Sequence, residues 1–151
     1  MRAAFLNAEW RKLAIANYSI DPSILKSYIP YGTELDFWNG KCYVSLVGFR
    51  FLNTKLKGLS IPFHSNFEEV NLRFYVKYCD KGLWKRGVTF IKEIVPRPAL
   101  TLVANSIYKE KYVTLPTKYE WMNNPESIGV VYQWKHKGAW DSISLTAGVV
   151  A

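Results

Sequence analysis

Residues 66–78, NFEEVNLRFYVKY, alternate apolar and polar positions with a period of two. Successive side chains of an extended strand point to opposite faces. Val70, Leu72, Phe74 and Val76 therefore share one face, and Glu69, Asn71, Arg73, Tyr75 and Lys77 share the other. The first face reads as core. The second is either a solvated row or the wall of a cavity, and that choice decides what the protein does.

The same reading extends along the chain. KLAIANYSI (12–20) predicts a strand and DPSILKSYIP (21–30) a short helix. Asp21 suits the N-cap, and Pro22 loses no needed hydrogen bond at the first helical position. Asn39-Gly40 separates strand-like runs at 34–38 and 41–52 and fits a type I′ hairpin turn, in which both central residues have positive φ. Residues 53–65 predict a loop, 67–78 a long strand, CDKGLWKRG a turn and 88–96 another strand. PALTLVANSIYKEKY (98–112) predicts a second helix with Leu100, Val103, Ala104 and Ile107 as its buried stripe. YVTLPTKYEWM, IGVVYQWKH and AWDSISLTAGVV read as three further strands, with a turn at NNPES (123–127). About seven or eight strands with two short helices and brief connections predict a mainly β (α+β) fold, an antiparallel barrel or sandwich. At 151 residues the chain is expected to form a single domain over 1–151.

Composition narrows the function classes. Aromatic residues make up 16% of the chain, with six Trp and ten Tyr, which suits sheet surfaces and amphipathic cavities better than a helical bundle. The net charge of +8 permits an anionic partner, but the basic residues are scattered. Their densest group, Lys77, Lys81, Lys85 and Arg86 beside Trp84, reads as a solvated hairpin, so nucleic acid is not the expected partner. Cys42 and Cys79 form no CxxC motif and read as buried or incidental thiols rather than a bridge or a metal site. The N-terminus lacks the apolar stretch of a secretory signal, and no apolar run reaches membrane-spanning length. A cytoplasmic location without membrane insertion is expected.

Candidate chemistry lies first on the polar face of 66–78. Glu69, Asn71 and Arg73 stand about 7 Å apart along one face. Inside a barrel, Arg73 would hold a carboxylate, Asn71 would add a ligand contact and Glu69 would serve as acid or base. On an exterior they would be a mildly charge-paired row. His64 and His136 have no H-x-x-x-H or Cys/His partner, so no metal is expected, and His64 reads as a loop histidine. There is no G-x-S-x-G, no phosphate-binding P-loop and no G-x-G-x-x-G, and no cofactor is expected. Lys109 and Lys111 follow the second helix as a charged run. Either becomes nucleophilic only where burial or a nearby cation lowers its pKa.

The stretches EWRKLAIANYSIDPSILKSYIPYGTELDFWNGKCYVSLVGF, FHSNFEEVNLRFYV and GVTFIKEIVPRPAL…YKEKY together resemble the YqjF-like bacterial family of unknown function. VSLVGF and FEEVNLRFYV are the most specific parts of the resemblance, which runs through nearly the whole chain. That family is similar to the acetoacetate-decarboxylase-like superfamily. The resemblance implies a cone-shaped, mostly antiparallel β-barrel around a small-molecule cavity. It places the lumen glutamate of the decarboxylases at Glu69. Their Pro-Lys-Lys pair would fall on Lys111 and Tyr112, and their arginine before the first helix on Ser19. Lys111 thus lacks the cation that lowers a neighbouring lysine's pKa in Schiff-base decarboxylation. The family also continues into strands beyond this chain, so the sequence resembles a truncated member, about the first two thirds, with an open edge that a second copy would pair with.

These readings converge on a small-molecule-binding barrel whose ligand is a small organic acid or carbonyl compound, with Glu69 and Lys111 as catalytic candidates and Asn71 and Arg73 as substrate-binding candidates. The alternative is a non-catalytic module that recognises an anionic partner through its basic surface.

Overall fold

The computed structural model describes residues 6–56, 58–60, 65–108 and 111–149. Among these the chain forms β1 (Leu6–Ile20), a 3₁₀ helix (Pro22–Tyr28), β2 (Glu34–Leu35), β3 (Cys42–Leu56), β4 (Leu59–Ser60) and β5 (Phe67–Asp80). It continues with β6 (Leu83–Val95), α1 (Pro98–Tyr108), β7 (Tyr112–Thr114), β8 (Thr117–Asn123), β9 (Ser127–His136) and β10 (Ala139–Gly148). The mainly β expectation with two helices holds. His64 and Lys109 lie outside the described residues, as do the side chains of Val103, Ala104 and Ile107.

Among the described residues the strands do not close into the expected barrel. They form one large sheet in the order β1-β3-β5-β6-β7 and a separate three-stranded sheet in the order β10-β9-β8. Nor is the large sheet wholly antiparallel. Helix α1 carries the chain back along the sheet, so β7 runs parallel to β6. The run YVTLPTKYEWM, expected as one strand, is divided between the two sheets at Leu115-Pro116, where proline offers no N–H to a ladder.

Other differences are local. Asn39 and Gly40 have φ of 47° and 73°, as a type I′ turn requires, yet only Trp38 and Lys41 bridge across it. Glu34 and Leu35 pair instead with Lys77 and Val76, along the stretch of β5 beyond its last register partner in β3, Val44 opposite Phe74. The first helix is 3₁₀ and keeps its expected cap: the Ser23 N–H donates to Asp21 Oδ1 at 2.8 Å. Strand β3 runs on to Leu56 where a loop was expected, and β6 begins at Leu83, directly after a tight turn at Lys81-Gly82.

Both faces of β5 are buried. On the back face Ala14, Val70 and Ile94 pack against Val130, Tyr132 and Ile143 of the small sheet. Farther along that face Leu25 of the 3₁₀ helix packs with Val44, Phe74 and Val76. On the front face Val47, Phe49, Phe51, Phe67 and Val95 form a second core, joined by Leu100 of α1. Gly48 is what allows the sheets to meet: a Cβ there would lie 2.4 Å from a ring carbon of the fully buried Tyr132. The Tyr132 hydroxyl donates to the carbonyl of Lys12 at 2.5 Å, where β1 bulges and Lys12 adopts φ 54°.

Candidate functional site

Alternation along β5 sets Glu69, Asn71 and Arg73 on the front face, directly opposite Phe49, Val47 and Ser45 of β3. On the other side Asn71 stands opposite Glu93 of β6, and Glu93 opposite Tyr112 of β7. Three neighbouring strands thus bring two carboxylates, an amide and a phenol together. A register shift in β6 sets Phe90, rather than Ile91, beside Arg73, and Ile91 packs into the back-face core.

Glu69, Asn71 and Glu93 are only 2%, 2% and 3% exposed, so their polar atoms must find partners inside the protein. Asn71 Nδ2 donates to Glu69 Oε1 at 2.9 Å, and the Tyr112 hydroxyl donates to Glu69 Oε2 at 2.9 Å. Burial, and then the charges of Glu69 and Glu93, push the Tyr112 phenol well above its ordinary pKa. It therefore stays a proton donor across the physiological range. Two atoms on the same strand face remain open: Asn71 Oδ1, an acceptor, and Arg73 Nε, a donor, are buried without a hydrogen-bond partner. The arrangement can bind an acidic group at Arg73 and hold or move a proton at the Glu69 carboxylate.

Glu69, Asn71 and Arg73 are brought onto one face as the alternation predicts, and Lys111 is not. Lys111 is exposed, and its Nζ lies 5.3 Å from the ring centroid of Tyr28 in the 3₁₀ helix, which covers the back face. Its neighbour Tyr112 enters the cluster instead. Glu93 and Tyr112 were not among the sequence-predicted residues. Glu93 sits in KEIV, where the shift in β6 breaks clean alternation, and Tyr112 stands where the resemblance placed the second lysine. Among the described residues no group of three His, Cys, Asp or Glu side chains could hold a metal. Cys42 and Cys79 are both free.

The basic hairpin offers little unpaired charge. Lys77 pairs with Glu34 at 3.2 Å, Lys85 with Asp80 at 2.5 Å and Arg86 with Asp36 at 2.6 Å. Lys77 Nζ also lies 4.6 Å from the Trp84 ring centroid. Among the described residues no helix is long and apolar enough to cross a membrane.

Two solved structures share the fold. One is an acetoacetate decarboxylase from Legionella pneumophila, with a TM-score of 0.65 and 17% identity over 91% of this chain and 48% of that one. The other is an acetoacetate decarboxylase-like enzyme from Sphingomonas wittichii RW1, with a TM-score of 0.65 and 16% identity over 93% of this chain and 55% of that one. The Bacillus subtilis protein described as uncharacterized protein YqjF is 31% identical over 128 residues, 84% of this chain and 50% of its own length. The chain thus spans about half the length of the relatives it matches. The model of the DUF2071 family, described as uncharacterized conserved protein, matches residues 7–149. On that match, which takes in nearly every described strand, the chain belongs to the DUF2071 family.

Proposed function

We propose that the front face of the large sheet is the polar wall of a small-molecule site whose ligand is a small organic acid or carbonyl compound. The observation that carries this reading is the pair of buried, unpartnered atoms Arg73 Nε and Asn71 Oδ1 beside the Glu69–Tyr112 hydrogen bond. Buried polar groups are normally satisfied, so two open ones on one strand face suit a ligand that completes them. Arg73 holds the carboxylate. Asn71 accepts from a ligand hydroxyl or enol. Glu69, steadied by Asn71 and Tyr112, takes or returns a proton. The likeness in fold to an acetoacetate decarboxylase and an acetoacetate decarboxylase-like enzyme supports the same substrate class.

Lys111 is not part of this site. A covalent imine there would require its side chain to leave Tyr28 and cross to the other face. The binding is non-covalent, with Tyr112 where the decarboxylases would carry a lysine. A second copy pairing along an edge strand, β1 or β7 of the large sheet, would enlarge the wall without supplying its polar groups. The alternative, recognition of an anionic macromolecule through the basic surface, has less support because Lys77, Lys85 and Arg86 are already paired with carboxylates.

The test is a calorimetric titration with pyruvate. Loss of a charge-assisted hydrogen bond, about 1.5–3 kcal/mol, corresponds to roughly 10–150-fold in affinity, which is the expected effect of Arg73→Ala. Equal affinity in the wild type and Arg73→Ala would sink the proposal. A salt-sensitive affinity for DNA, with none for pyruvate, would favour the alternative.

A further inference from the structure

Past Arg73 the front face runs on to Tyr75 and opens into a groove of about 550 Å³, within the usual range of small-molecule sites. Asn17, Tyr43 and Tyr75 line it from the strands, and Phe37 and Trp38 from the turn before β3. Phe37 and Trp38 are 45% and 62% exposed, unusual for rings with so much surface to bury.

A fully buried serine organises the polar edge. Ser45 Oγ donates its one proton to Asn17 Oδ1 at 2.5 Å. The Tyr75 hydroxyl must then donate to Ser45 Oγ across their 2.6 Å contact. This leaves the Asn17 amide as a donor and the Tyr75 oxygen as an acceptor toward the groove. The two charged residues lining the groove cancel: Arg86 bonds both oxygens of Asp36, at 2.6 and 3.1 Å. The groove is therefore aromatic and near neutral, and suits a planar uncharged group. Arg73 adjoins it on two counts. It is the register partner of Ser45, and it precedes Tyr75 on the same strand face by about 7 Å.

We infer that the ligand is an aromatic acid, with its carboxylate at Arg73 and its ring in the groove beside Phe37 and Trp38. This rests on the carboxylate site proposed above and narrows its substrate class. Arg73 and the aromatic groove are within one strand repeat of each other, so a single molecule a few bonds long spans both.

Three matched probes separate the two parts: propanoate, 3-phenylpropanoate and the neutral 3-phenylpropanamide, each titrated by ligand-observed NMR. Burying a phenyl ring is expected to make 3-phenylpropanoate bind about tenfold tighter than propanoate, or more. Trp38→Ala, at an exposed position, should remove that advantage and leave propanoate unchanged. Arg73→Ala should weaken both acids and spare the amide. Equal affinity for the two acids, or a ring advantage that survives Trp38→Ala, overturns the inference while leaving the carboxylate site standing. Binding of the amide alone overturns the inference by removing the carboxylate site on which it rests, and binding of none of the three overturns both.

Discussion

Replacing Tyr112 with phenylalanine removes one oxygen and leaves the ring, so it isolates the hydrogen bond at the centre of the site. The lost oxygen is the donor to Glu69 Oε2 at 2.9 Å, and it also faces Glu93. With Glu69 only 2% exposed, no bulk water replaces the lost donor. A hydrogen bond to a charged group contributes about 1.5–3 kcal/mol, and Tyr112→Phe should lose roughly that much stability at pH 7. A second signature appears at alkaline pH. The Tyr112 phenol has a raised pKa in the fold, through burial first and then through Glu69 and Glu93, against about 10 when unfolded. Below pH 10 both states keep the proton, so its stabilising effect is complete. Above pH 10 the unfolded chain releases the proton and the folded chain retains it, so stability falls by about 1.4 kcal/mol per pH unit for this one group. Tyr132, raised mainly by burial, adds a slope of the same sign. Urea unfolding followed by circular dichroism at pH 7, 10.5 and 11.5 measures both effects. The variant should be less stable at pH 7 and decline less steeply above pH 10. Stability within about 0.5 kcal/mol of wild type at pH 7, with an unchanged alkaline slope, would refute the buried Tyr112–Glu69 bond.

Three other substitutions or treatments test neighbouring parts. Gly48→Ala places a Cβ 2.4 and 2.7 Å from two Tyr132 ring atoms, and overpacking of this kind should cost about 1–3 kcal/mol in urea unfolding; a neutral result would contradict the close approach of the sheets. Burial raises the Tyr119 pKa, but hydrogen bonds and charge from Arg50 and Lys12 outweigh it and leave the phenol lowered. Lys12→Met should therefore move the Tyr119 titration upward in NMR, and an unmoved titration would mean that Lys12 does not act on it. Borohydride added with pyruvate should leave the intact mass unchanged, because Lys111 lies against Tyr28; a reduced adduct at Lys111 would show that this side chain reaches the ligand.

Much of this fold was legible because period-two alternation is a local signal. The strand at 66–78, the cap at Asp21 and the positive-φ pair Asn39-Gly40 each follow from a few adjacent residues. What escaped was set by distant pairing. Glu34 and Leu35 leave the hairpin that their turn suggests because β5 offers them a ladder at Lys77 and Val76. Leu115-Pro116 lies inside a run that reads as one strand, although it marks the passage between two sheets. For the site, alternation placed Glu69, Asn71 and Arg73 together and the opposite face in the core, but left open whether their own face was solvated. Both faces are buried, since α1 contributes Leu100 to the front core and the small sheet packs on the back. Glu93 stayed hidden because its strand carries a register shift, and Tyr112 because its role depends on a parallel pairing that no local pattern encodes.

The most direct measurement follows the Arg73 side chain itself. The Nε–H resonance of Arg73, assigned by its loss in Arg73→Lys, can be observed in nitrogen-edited NMR during a pyruvate titration. If the buried, unpartnered Nε is a carboxylate site, the resonance shifts and saturates at millimolar pyruvate or below, an affinity of about −4 kcal/mol or better. The binding constant read from it matches the one read from the ligand, and Arg73→Lys weakens both acid binding and the associated shifts on Asn71. A resonance that stays fixed while pyruvate binds elsewhere, or does not bind at all, contradicts a small-acid site on this face.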